Sequence, residues 1–342
     1  MGKITILVGY HKPAFLFKSD VFQPIHVGRS IATQKSKDGR IDVSEEQWLL
    51  ENTIGDDSGE NISEKNRNYC ECTALFWAWK NYQKLENPDY IGFMHYRRLF
   101  ALKEDIFSER VLNTSEKAYA IRELGYPSDD LLEKLGLTKE NIQNVLNRCG
   151  GLMVNPSYLD LVGAKDQRED FQRNISGVKV KDFDLMLDVL DNIYPQLGEY
   201  ARKRSKTSLK SCFQMWLLPR EHFFEYMEFL FTTLQACEKQ IDVSGYSVNG
   251  QRTIGYLAEL LCDYYLNFKK DIWKLKSVNV CFLKNTYHNP NNSISTIKLL
   301  FGIVSAKSSY LLTKKLSKKD EYRFFKQELL DRYRRFNQKN HK

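Results

Sequence analysis

The sequence predicts an α/β fold, and two short runs carry that prediction. Ile4 to Gly9 and Tyr90 to Met94 are mostly apolar, as strands buried on both faces of a sheet are. Each ends in a polar cluster, Tyr10-His11-Lys12 after the first and His95-Tyr96-Arg97-Arg98 after the second. Between them, Tyr69, Thr73, Phe76, Trp77 and Lys80 recur at helical spacing.

Taken in order, Ile4 to Gly9 follows a lone Lys3 and precedes no small-residue cleavage site, so it reads as a strand and not a signal peptide. Val21 to Gly28 is a second extended segment, which Pro24 demotes to an edge or a strand entry. Ser30 to Asn61 is polar and rich in turn formers such as Asp38-Gly39 and Gly55-Asp56-Asp57, so a long surface excursion is expected. Ser63 followed by Asn66 is an N-cap signal for a helix from about Lys65 to Tyr82, with Phe76 and Trp79 in the core. Asn87-Pro88-Asp89 is the turn that opens the second buried strand.

Ala101 to Asn147 reads as amphipathic helix, broken at Gly125-Tyr126-Pro127, and Cys149 to Pro156 as another buried run. Asp182-Phe183-Asp184 has the Asp-x-Asp form that bridges a divalent ion and a diphosphate, yet its flanks read as a helix N-terminus, where Asp suits the dipole. The basic run Arg202 to Lys206 reads as a solvated loop, Phe213 to Arg220 as a strand, and Glu221 to Phe231 as an aromatic helix. Arg252, Gly255 and Glu259 share one helix face. From about Thr296 the chain is helical and basic, a tail suited to an anionic membrane surface.

Composition excludes several classes. A chain of 342 residues at 42% hydrophobic builds a sizeable core, and no apolar run is long enough to cross a membrane. Seven cysteines, an odd number with only Cys70-Glu71-Cys72 closely spaced, make no disulfide framework and read as reduced, which implies the cytoplasm. Neither G-x-G-x-x-G nor a P-loop occurs, and no RNP, helix-turn-helix or zinc motif supports nucleic acid as the partner for the net charge of +8.

The C-terminal end of a buried strand is where open α/β sheets bind ligands, and guanidinium forks there match phosphate oxygens. His95, Tyr96, Arg97 and Arg98 therefore suit a diphosphate; pairing of the arginines with nearby carboxylates is the plainer reading, and both stand. Asn66 and Glu71 lie near a helix start, where backbone N–H groups favour an anion. Glu259 beside Arg252 suits a general base at a cleft mouth, or a plain intrahelical ion pair.

The blocks YHKPAFLF, PIHVG, GDDSGENISEKNRNYCECTALFWAWKN and DYIGFMHYRRLF, with FQMWLLPREHFFEYMEFLF and QRTIGYLAELL, are similar to a bacterial family first described as a domain of unknown function. That family occurs in capsule, exopolysaccharide and lipopolysaccharide O-antigen gene clusters. Its members are classed as glycosyltransferases, some as galactofuranosyltransferases. The resemblance covers residues 1–268 and leaves 269–342 as a basic, mainly helical extension.

It implies a GT-A-like, Rossmann-type mixed sheet flanked by helices, a UDP-sugar donor and a glycan or lipid-linked oligosaccharide acceptor. It also implies a cytoplasmic enzyme, peripheral at the inner membrane, that uses no cofactor. Tyr10, His11, Lys12, Asn66, His95, Tyr96, Arg97 and Arg98 would then hold the donor, with cationic side chains in place of a metal. Glu259 would be the base, Arg252 would orient substrate, and Asp56 and Asp57 are the runner-up carboxylates. A non-catalytic nucleotide-sugar or glycan-binding subunit of a polysaccharide assembly complex is the alternative.

Overall fold

A computed structural model describes residues 2–34, 41–103, 121–124, 127, 130–211, 213–283 and 296–313, with 322, 326 and 329 beyond them. The chain opens with β1 (Ile4–Tyr10), β2 (Phe22–His26), α1 (Val43–Asn52), β3 (Ile54–Gly55), α2 (Asn66–Tyr69), α3 (Cys72–Lys80), β4 (Tyr90–His95) and β5 (Arg98–Ala101). It continues through β6 (Ile121–Leu124), α4 (Leu131–Lys134), α5 (Lys139–Leu146), β7 (Gly151–Val154), β8 (Ser157–Tyr158), α6 (Gln167–Asn174), α7 (Val180–Ile193) and α8 (Pro195–Ser205). β9 (Leu209–Lys210), β10 (Trp216–Pro219), α9 (Arg220–Glu238), α10 (Thr253–Lys269), β11 (Leu275–Leu283) and α11 (Thr296–Thr313) complete it.

Nine strands form one mixed sheet in the order β10-β7-β11-β5-β4-β1-β2-β3, with β6 on β11. β10 also pairs with β4, so β4, β5, β11, β7 and β10 make a closed circuit. β1 is buried at every position, which its unbroken apolar run requires. β1 to β4 are mutually parallel, so their C-terminal ends share one rim, with Gly9 beside His95 and Tyr10 beside His26. One sheet face packs on α3, α7, α9 and α10 through Trp77, Phe183, Phe223 and Leu257. The other packs Val8, Phe17 and Phe100 against α4 and α5.

Several expectations are corrected. The segment 30–61 is not a bare excursion: α1 carries a full capping box from Asp42 and Glu45, β3 extends the sheet, and Asp56 is fully buried. Its Asp38-Gly39 turn lies outside the described residues. Pro24 sits inside β2 opposite Val8, tolerated because β3 pairs only with Ile25 and His26. The single helix expected over Lys65 to Tyr82 is broken at Cys70, whose φ of 51° separates α2 from α3. Ser63 caps nothing; its hydroxyl is drawn inward to Asp56.

Residues 121–124 are strand and not helix, because β11 offers a free edge there; the Gly125-Tyr126 break lies outside the described residues. The basic run at 202–206 belongs to α8, where Arg202 meets Asp188 and Asp191, and Arg204 meets the fully buried Asp263 at 2.9 Å. The division at 268 falls ahead of β11, which pairs with β5, β6 and β7, so the sheet domain takes in residues 275–283. The basic stretch beyond α11 lies outside the described residues, apart from 322, 326 and 329.

Asp56 is the joint of this half of the fold. Its Oδ2 accepts from Gly28 N at 2.7 Å and Thr73 Oγ1 at 2.6 Å. Its Oδ1 accepts from Arg29 N at 3.0 Å and Ser63 Oγ at 2.6 Å. Gly28 has φ 72°, and a Cβ there would meet the Asn66 side chain, so only glycine fits this turn. With four donors satisfied, this carboxylate cannot serve as a base. Asp56→Ala strands those donors and should cost at least about 3 kcal/mol, since each buried group left unpaired costs roughly 1–3 kcal/mol. Urea unfolding measures it, and a loss below about 1 kcal/mol would show that the joint is dispensable.

Candidate active site

β4 turns into β5 through Tyr96 and Arg97, with His95 opposite Arg98. The hairpin is pinned to the exits of its neighbours: Tyr96 N donates to Gly9 O at 3.3 Å, and Leu283 N to Arg97 O at 2.8 Å. His11 leaves β1 on the same rim and sets its ring edge-on to Tyr96, with centroids 5.4 Å apart. Tyr96 also stacks on Tyr10 at 5.4 Å, and Arg97 lies 5.3 Å from the Tyr96 ring. Arg98 rests on Phe213 at 4.1 Å and on Phe282 at 5.7 Å. Phe213 reaches it from a left-handed backbone, φ 72°.

Within the hairpin, His95 Nε2 and Arg98 Nε are buried with no hydrogen-bond partner among the described residues. Burial, then the charges of Arg98, His11 and Arg97, push the His95 pKa well below the ordinary histidine range. His95 is therefore a neutral ring at neutral pH, so the positive charge rests on Arg97, Arg98 and Lys12. Burial also lowers the Arg98 pKa, and Glu259 and Glu71 oppose that.

Those carboxylates come from two helices. Cys70, with its left-handed φ, starts α3 so that Glu71 stands at the N-cap. Thr73 N and Asn66 Nδ2 both donate to the Cys70 carbonyl, at 3.3 and 2.7 Å. From the start of α10, Arg252 Nε donates to Cys70 Sγ at 3.2 Å instead of pairing with Glu259. Gly255 leaves room for this approach, since a Cβ there would lie 2.7 Å from Cys70 Sγ. Burial, then the Glu259 charge, raises the Glu71 carboxyl to about 7, against the pull of Arg252 and Arg98.

A hairpin whose Arg98 is acted on by the charges of Glu259 and Glu71 now has a context. The family model described as "Domain of unknown function (DUF4422)" matches residues 5–270. The chain belongs to the DUF4422 family. Among solved structures, the apo form of WbbM, a bifunctional glycosyltransferase, is similar at TM-score 0.68 and 26% identity, over 86% of this chain and 48% of that one. The chain thus spans about half the length of WbbM. No curated protein matches it.

In this DUF4422 chain His11, Lys12, His95, Tyr96, Arg97 and Arg98 follow β1 and β4 at one rim, the charge of Glu259 acts on Arg98, and Arg252 lies apart from them on Cys70. Two of the expected donor residues are engaged within the fold. Tyr10 is fully buried, its hydroxyl donating to Phe15 O and accepting from Phe17 N, and its ring stacks on Tyr96. Asn66 commits its amide Nδ2 to Cys70 O and Thr73 Oγ1, and so shapes the Cys70 turn. Asp57, the other runner-up carboxylate, is exposed beyond β3 and its charge acts on Arg29.

Asp182 sits in the first turn of α7 and Asp184 just after it. There they accept from Tyr246 and Arg168 respectively, so their partners belong to two different elements. Among the described residues, no three His, Cys, Asp or Glu side chains converge as metal ligands. Glu71 was named from sequence only as lying near a helix start. What marks it is the reversed backbone at Cys70, which no sequence pattern announces.

The Cys70 thiol is 8% exposed and pushed up to about 11 by burial. Alkylation at pH 8 should therefore leave Cys70 untouched in the native protein and modify it only on unfolding, while the half-exposed Cys149 reacts first among the described cysteines. Peptide mapping by mass spectrometry reads the order. Native-state labelling of Cys70 ahead of Cys149 would contradict the buried Cys70–Arg252 contact.

Proposed function

We propose that the chain is a glycosyltransferase that moves a hexose, galactofuranose among the candidates, from a UDP-sugar to a glycan acceptor of a surface polysaccharide. What carries this reading is the β4–β5 hairpin. It sets Arg97 and Arg98 beside His11 and Lys12 at the ligand-binding rim of a sheet similar to that of a glycosyltransferase. The sheet order, parallel through β1 to β4 with an antiparallel β10, supports a GT-A-like arrangement.

Cleaving a nucleotide-sugar leaves negative charge on the departing diphosphate, and preorganised cations are the service an enzyme supplies there. Arg97, Arg98 and Lys12 offer that charge directly, and neutral His95 offers a hydrogen bond from its ring. On the far side of Arg98, Glu259 is assigned to take the proton of the acceptor hydroxyl, and Arg252 to fix the Cys70 turn beside it. Donor leakage to water gives the first assay, because it needs no known acceptor.

Turnover should persist in excess chelator; loss restored only by Mn²⁺ would show that the guanidiniums do not replace a metal. Glu259→Gln should abolish transfer with donor binding intact, and near-normal turnover would reject Glu259. Arg98→Ala should weaken donor binding and slow turnover by ~100-fold or more, the scale of removing one transition-state donor.

For the partner surface, α11 exposes Leu300, Phe301, Val304, Leu311 and Leu312, and residues 284–319 contain no Asp or Glu. Residues 284–342 hold fourteen Lys and Arg against four acids, enough to account for the whole surplus of +8. No helix among the described residues is long and apolar enough to cross a membrane, so α11 is assigned to lie on one. The chain should sediment with phosphatidylglycerol vesicles and not phosphatidylcholine vesicles. Equal binding to both, or undiminished binding by Phe301→Glu, would overturn the assignment.

A further inference from the structure

Arg98, on which the proposed donor site depends, rests on two rings. Its guanidinium carbon lies 4.1 Å from the Phe213 centroid and 5.7 Å from the Phe282 centroid, both within reach of a cation–π contact. Phe282 meets it by register, since the two residues pair across the β5–β11 ladder. Phe213 comes from outside the ladder. β10 starts only at Trp216, opposite Phe93, and runs antiparallel to β4. The residues just ahead of β10 therefore lie at the rim where β4 ends, and Phe213 is one of them.

Phe213 reaches Arg98 from a strained backbone. Its φ of 72° falls in the left-handed region, where a bulky side chain is rare. Glycine would make this turn freely. Both flanking helices fix the turn. Fully buried Gln214 donates from Nε2 to Ala258 O on α10 and accepts at Oε1 from the Tyr226 hydroxyl on α9 at 2.8 Å. Met215 N donates to Phe213 O at 3.0 Å. Ala258 precedes Glu259, so the same clamp holds the stretch of α10 that carries the assigned base. Gln214, Met215 and Trp216 are buried, whereas Phe213 is half-buried. What the strained residue adds to the turn is a ring against a guanidinium.

We propose that Phe213 is the positioning residue for Arg98: its ring, with that of Phe282, fixes the guanidinium so that the buried Nε–H, unpartnered among the described residues, serves a phosphate oxygen of the donor. The inference rests on the transferase reading given above and adds how the diphosphate meets a guanidinium already in place. A long side chain loses rotamer freedom when it grips a ligand. One stacked on rings has lost that freedom beforehand, and the preorganisation appears as affinity.

The test measures binding of UDP to the intact chain by calorimetry. Phe213→Leu keeps bulk without a π face and should weaken UDP binding by ~3- to 30-fold, the scale of one cation–π contact. Phe213→Tyr keeps the face and should bind within about twofold of the parent. Phe213→Gly relieves the turn but removes the ring, so it should bind UDP no better than Phe213→Leu. In an Arg98→Ala background the change at 213 should cost nothing further, because Phe213 acts through Arg98. Parent-like binding by Phe213→Leu or Phe213→Gly, or losses that multiply in the double variant, would overturn the assignment.

NMR of the arginine Nε–H groups supplies a readout that needs no ligand. The parent should show an upfield, ring-shifted signal, assigned to Arg98 by its loss in Arg98→Lys. That signal should return to the ordinary arginine position in Phe213→Leu and stay upfield in Phe213→Tyr. If UDP does not bind the parent chain, the transferase reading fails while this signal still decides whether the ring holds Arg98. An Arg98 signal at the ordinary position in the parent, or one indifferent to Phe213→Leu, removes the inference by itself.

Discussion

The Asp56 carboxylate ties the end of β2 to the start of α3. Four donors from three separate stretches meet it: the backbone after β2, the hydroxyl of Ser63 and the hydroxyl of Thr73 in α3. A buried charge is tolerable only when its lone pairs are filled, so the three stretches have one mutual arrangement. Thr73 then carries the constraint onward, because its backbone N–H and Asn66 hold the Cys70 carbonyl in the reversed turn. The position of Glu71 is thus decided some distance from Glu71 itself, by hydrogen bonds that never touch a ligand.

The rest of the charge in the fold follows a contrasting rule. Asp263 is fully buried, and Arg204, Gln167 Nε2, Ser211 N and Asn267 Nδ2 all donate to it. Asp170 meets Lys210 at 2.9 Å with both side chains nearly buried. In these clusters each charge is answered, as structural ion pairs must be. At the β4–β5 hairpin the account is open: His95 Nε2 and Arg98 Nε have no partner among the described residues, and two carboxylates share one guanidinium's field. Buried polar atoms without a partner also occur at Gln167 and Trp216, so what sets the hairpin apart is that its own lie beside the guanidiniums of Arg97 and Arg98.

Burial also reassigns roles that residue type suggests. A histidine between arginines looks like a third cation, but desolvation and those same arginines make the ring neutral. His26, at the end of β2, is also pushed down, to about 3, by burial and by Arg29, whose Nε donates to its Nδ1. The rim's positive charge is therefore narrower than its composition implies. It lies on groups that keep their proton, with aromatic rings of Tyr96, Phe213 and Phe282 beneath them.

The sequence by itself determined the buried strands, the end of each strand at which polar residues gather, and the helix start at Asp182, because these depend on local apolar runs and on the two-residue and 3.6-residue periods. The family blocks, read as strings, already pointed to the DUF4422 match over residues 5–270. Only the tertiary structure decided that the stretch between Ser30 and Asn61 ends in a buried joint, that one helix is two, and that β11 closes the sheet beyond residue 268. It also decided that the Tyr10 hydroxyl and the Asn66 amide are hydrogen-bonded within the fold and that the Cys70 turn packs against the start of α10. The reason is the same in each case: a carboxylate, a thiol or a strand edge takes its role from partners far along the chain, and no local pattern encodes which partners arrive.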